Sequence, residues 1–109
     1  MTAMLSDRDL LARLVSFDST SRYPNRPIAE FICDYLNVPG VTIARNESAD
    51  GEKVNLVVRV AGEDGSLPAA AGGGLILSGH MDVVPAEEPD WRTNPFELAE
   101  DPDAYYARG

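Results

Sequence analysis

His80 is the only histidine in this 109-residue chain, and Asp82 follows it two positions later. An imidazole offers a ring nitrogen to a metal ion, and a neighbouring carboxylate can orient that imidazole and raise its basicity. The two residues lie in the stretch Gly73-Gly74-Leu75-Ile76-Leu77-Ser78-Gly79-His80-Met81-Asp82-Val83-Val84-Pro85. The apolar run Leu75-Ile76-Leu77, with glycines before it and Ser78-Gly79 after it, reads as a buried strand ending just short of His80. Ligands in open α/β sheets collect outside the carboxyl ends of strands, so a site is expected there. Met81, Val83 and Val84 are expected to keep the surroundings apolar, which strengthens charge interactions. A plainer role competes with this one. A histidine at a strand end is more often a hydrogen-bonded structural residue than a metal ligand.

Composition narrows the classes of function. The length suits one ordinary domain with a modest core, and the 44% hydrophobic content is normal for a soluble globular protein. A net charge of −9 argues against nucleic acid or an anionic membrane surface as partners, because phosphate contacts need clustered Lys and Arg. No apolar run approaches the roughly 20 residues of a membrane span. The first residues lack a basic region followed by a long apolar stretch, so no secretory signal is expected. Cys33 stands alone, which precludes an internal disulfide and suits a reducing, cytoplasmic compartment. It is expected to pack as a small apolar residue on a helix.

The elements that must position His80 and Asp82 can be read in order. Ser6 can cap a helix starting at Asp7, with Leu10, Leu11, Leu14, Val15 and Phe17 forming its apolar face. Asp18 to Pro24 is a polar loop rich in turn formers. A second helix begins near Asn25, with Pro27 in its first turn and Ile28, Phe31, Ile32 and Tyr35 on its apolar face. Val41 to Ala44 alternates as a strand, Asn46 to Gly51 turns, and Val54 to Val60 returns as an antiparallel partner. Gly62 to Gly74 reads as a mobile loop without side chains suited to chemistry. Pro85 to Asp90 is acidic loop, Trp91, Pro95 and Phe96 form a small apolar cluster, and Tyr105-Tyr106 could open another strand. The expected fold class is α/β, a mixed sheet flanked by helices, in one unit with no internal repeat or dividing linker.

The string Leu77-Ser78-Gly79-His80-Met81-Asp82-Val83-Val84-Pro85 resembles the first metal motif of the M20 family of zinc-dependent amidohydrolases and peptidases. Phe17 to Arg22 is similar to the segment after that family's first helix, and Lys53-Val54-Asn55-Leu56 to the start of its second strand. Trp91 with Asn94-Pro95-Phe96, and Tyr106-Ala107-Arg108-Gly109, resemble further family signatures, the last with Ala107 where the family has glycine. The likeness is strongest to the acetylornithine deacetylase and succinyl-diaminopimelate desuccinylase group. It implies that residues 1–109 are the N-terminal part of a zinc-dependent exopeptidase-like catalytic domain.

By the same resemblance, His80 ligates one metal of a two-metal site holding zinc, with cobalt as the alternative. Asp82 is the active-site carboxylate orienting His80. The ions of such sites lie roughly 3.5–4 Å apart, polarise the scissile carbonyl and activate a bridging water. The reaction implied is hydrolysis of a small N-acyl amino acid, above all N-acetylornithine to ornithine and acetate in arginine biosynthesis. The alternatives are succinyl-diaminopimelate or a dipeptide. The family's bridging aspartate, glutamate pair, remaining ligands and inserted dimerisation domain fall beyond Gly109. The chain alone is therefore expected to be incomplete and inactive, and the full-length protein a homodimer. Two other readings stand beside this one: a non-catalytic module that keeps the fold to bind a partner, and an incidental His-Asp pair in an unrelated domain. A module recruited only for binding has no chemical need for His80 and Asp82, which favours the enzyme segment.

Overall fold

The computed structural model describes residues 3–62, 74–87 and 90–109. Helix α1, Asp7–Val15, starts as its sequence dictates. The Ser6 hydroxyl accepts the Asp9 N–H at 3.1 Å, satisfying one of the free donors of the first turn. Asp7 and Asp9 sit at the positive end of the helix dipole and Arg13 near the negative end. Helix α2, Arg26–Tyr35, carries Pro27 in its first turn, where a missing N–H costs nothing. Its preceding residue, Asn25, does not cap it through the side chain. The buried Asn25 amide instead accepts the Val54 N–H at 2.7 Å and donates to the Val54 carbonyl at 3.1 Å. That side chain thus imitates a neighbouring strand for one residue.

Strands β1, Val41–Glu47, and β2, Val54–Val60, pair antiparallel from Val41 opposite Val60 to Glu47 opposite Val54. The expected pairing holds, although β1 runs past Ala44 and the turn moves to 48–53. Gly51 supplies that turn with φ +74°, a conformation strained for any side chain. The Asp50 carboxylate accepts from the Ser48 hydroxyl at 2.6 Å and the Glu52 N–H at 3.0 Å, which fixes the reversal. Ile28 and Ala29 of α2, Val54 of β2 and Val15 of α1 are buried. Cys33 is half-buried on α2, in keeping with a packing role.

Charge also joins α2 to the hairpin. Glu30 meets Arg26 at 3.1 Å and Arg45 at 2.6 Å, while Glu47 meets Arg26 at 2.9 Å and Arg45 at 3.1 Å. Arg45 is the largest influence on the Glu30 carboxyl and holds it below its usual range. A short hairpin closes the described chain, β3, Ala99–Glu100, against β4, Tyr105–Tyr106. The tyrosine pair does form a strand. Around the Trp91 cluster, Pro95 is buried while Trp91 and Phe96 are half-buried.

Three expectations are corrected. The mixed sheet is replaced, among the described residues, by two separate two-stranded antiparallel sheets. Leu75, Ile76 and Leu77 are not a buried strand. They are 84%, 91% and 85% exposed and hydrogen-bond to no neighbouring strand among the described residues. An apolar run becomes a strand only when another strand takes up its backbone donors and acceptors, and nothing described does so. The apolar face of α1 is also less buried than its periodicity suggests, with Val15 buried and Leu11 exposed. The glycine-rich loop expected over 62–74 lies almost wholly outside the described residues.

Candidate functional site

His80 and Asp82 come together as expected, on a segment stitched to the loop after α1. Thr20 and Val83 form a parallel bridge. The Val83 N–H donates to the Ser19 carbonyl and the Ser21 N–H to the Val83 carbonyl, each at 3.1 Å. The Ser19 hydroxyl donates to the Met81 carbonyl at 2.6 Å. Ser19, Thr20 and Ser21 thus clasp Val83 in a single parallel bridge, and Ser19 and Ser21, two apart, both reach the motif. Lys53 holds the loop from the other side, its ammonium donating to the Ser21 carbonyl at 2.7 Å and also to the Tyr23 carbonyl.

The His80 Nδ1 faces two acceptors, the Asp82 carbonyl oxygen at 2.7 Å and Asp82 Oδ1 at 3.1 Å. Both can only accept, so Nδ1 must carry the proton, and Nε2 is left with its lone pair. The other carboxylate oxygen, Asp82 Oδ2, accepts the Ser21 hydroxyl at 2.7 Å. The Ser21 hydrogen bond, followed by His80, holds the Asp82 carboxyl below the usual carboxylate range. The surroundings are wetter than the apolar neighbours suggested. The His80 and Asp82 side chains are 79% and 53% exposed, and Val84 also faces water. His80, Met81 and Asp82 line a cleft of about 560 Å³ together with Asn25, Lys53 and Leu56.

Arg108 ties the far end of the chain to this region. Its guanidinium donates to the Val15 and Phe17 carbonyls at 3.0 and 2.6 Å, taking up acceptors at the C-terminal end of α1. It also stacks over the Phe96 ring at 4.9 Å, and its backbone N–H reaches the Pro95 carbonyl. Burial pushes its pKa down. The sequence marked Arg108, Ser19, Ser21 and Lys53 only within stretches of resemblance, and it gave none of them a role at the site.

Among the described residues no group of three or more His, Cys, Asp or Glu side chains converges as a metal shell would. A catalytic zinc takes about three protein ligands. His80 therefore fits as one ligand of such a site, while a complete shell does not fit the described residues.

An acetylornithine deacetylase of Myxococcus xanthus is 39% identical over 105 residues, covering 94% of this chain and 26% of the relative. The chain is similar to acetylornithine deacetylases. The enzyme of that name from Pasteurella multocida is 30% identical over 95 residues, covering 86% of this chain and 23% of its own. That from Vibrio cholerae is 29% identical over 85 residues, covering 78% and 20%. The chain thus spans a quarter or less of the length of the curated relatives it matches, apart from the 26% of the first. No protein-family profile matches the chain. No solved structure matches it either.

Proposed function

We propose that this chain is a segment of a metal-dependent deacylase acting on small N-acyl amino acids, with N-acetylornithine as the preferred substrate. The observation that carries the reading is the state of His80: Nδ1 is engaged by Asp82, and Nε2 has no partner among the described residues. That arrangement is how a ligating imidazole is usually set. The similarity to acetylornithine deacetylases supports the choice of reaction.

In this reading His80 supplies one ligand through Nε2 to a zinc ion, or to cobalt in its place. Asp82 holds the ring in the ligating tautomer and fixes its orientation. When bound, the metal supplies polarisation of the amide carbonyl and activation of water. The remaining ligands and the general base come from outside the described residues, in a protein that functions as a homodimer. The chain alone is inactive.

The test is His80→Ala in the longer polypeptide that carries this segment. Zinc content should fall, and hydrolysis of N-acetylornithine should drop to background while the protein stays folded. Unchanged turnover and unchanged zinc content would remove His80 from the site and the reading with it.

A further inference from the structure

We infer that Ser21 is a positioning residue for His80, acting through Asp82 as the third member of a Ser21–Asp82–His80 relay of hydrogen bonds. The role assigned to His80 rests on the functional reading above, but the geometry of the relay does not. A carboxylate beside an imidazole is useful only if it stays put, and the terminal torsion of aspartate is broad. Here each oxygen has its own partner. Oδ1 faces His80 Nδ1 at 3.1 Å and Oδ2 accepts from the Ser21 hydroxyl at 2.7 Å. Rotating the carboxylate toward solvent, which its half-exposed position would otherwise permit, breaks the serine bond.

Ser21 can act as an anchor because its own backbone is fixed on both sides. Its N–H donates to the Val83 carbonyl at 3.1 Å, and its carbonyl accepts from the Lys53 ammonium at 2.7 Å. Lys53 is the residue before β2, so the relay is referred back to the hairpin, where α2 and the Asn25–Val54 pairing supply rigidity. Ser19 has a different task. Its hydroxyl goes to the Met81 backbone, and so it holds the segment without touching the carboxylate.

The chain's single histidine makes the test direct. The nitrogen-15 signals of the imidazole, recorded on its neutral form, report which nitrogen bears the proton, with no metal present. Nδ1–H should dominate in the parent chain. Ser21→Ala should lower the Nδ1–H to Nε2–H ratio about 5-fold, as expected for loss of one ordinary hydrogen bond. Ser21→Thr, which keeps the hydroxyl, should restore it. The amide spectrum of β1 and β2 checks that each variant is folded. If Ser21→Ala does not fold, Ser21→Cys, close in size and a weak donor, is read in its place with the same two outcomes. A ratio that stays at the parent value overturns the relay. Adding zinc then separates the two ideas: a shifted tautomer ratio with no zinc response at Nε2 keeps the relay and removes the functional reading.

Discussion

Nε2 of His80 is available because Nδ1 is taken, and Nδ1 is taken by a carbonyl and a carboxylate oxygen of the same residue, Asp82. Of these the carboxylate is the one that chemistry can remove. In a longer polypeptide that completes the proposed site, Asp82→Ala should cost about 10- to 100-fold in metal affinity or activity, as for other partners of ligating histidines. Thermal stability should change little, since Asp82 is half-exposed. Equal losses of stability and activity at unchanged metal content would make Asp82 structural. His80 and Asp82 were legible from the sequence because their spacing of two is local and the whole string is specific. Ser21 was not, because it lies 61 positions from Asp82. Nothing within the loop says which strand end it will meet.

The elements divide the same way. Helices α1 and α2 and the β1–β2 hairpin were readable because caps, periodicity and a Gly turn are local signals. The strand expected at Leu75–Leu77 was not realised, because the fate of an apolar run depends on a partner elsewhere. Two predictions belong here. Arg108→Ala removes two charge-assisted bonds to the end of α1 and the stacking on Phe96. It should destabilise the chain by about 2 kcal/mol, at the scale of hydrogen bonds to charged groups. Denaturant unfolding measures this, and a change within error would show that water replaces the guanidinium.

The second prediction concerns acid. Glu30 has a folded pKa lowered chiefly by Arg45, so its folded form binds protons less readily than its unfolded form. Its contribution is fully present above the unfolded value of about 4.3 and is lost as pH falls through the lower folded value. Melting temperature should therefore decline below about pH 4.5 more steeply in the parent than in Glu30→Gln. Parallel curves would mean that the four-membered network does not matter to stability.

At the scale of the whole molecule, Leu75, Ile76, Leu77, Val57 and Val60 are all exposed. Apolar surface of that kind is expected to associate. Light scattering of the purified chain should show concentration-dependent self-association, relieved by Ile76→Lys without loss of melting temperature. Ideal monomeric scattering by the parent chain would contradict this.

The account as a whole turns on His80 as one ligand of a shell that the described residues do not complete. The direct measurement is zinc titration of the purified chain, followed through the imidazole nitrogens and the melting temperature together. The account predicts a response at Nε2, weak and without saturation at equimolar zinc, and almost no gain in melting temperature, because stabilisation follows the ratio of free ligand to its dissociation constant. Zinc that leaves Nε2 unmoved would contradict it. So would tight stoichiometric binding with a large rise in melting temperature, which would make these 109 residues a self-sufficient metal domain.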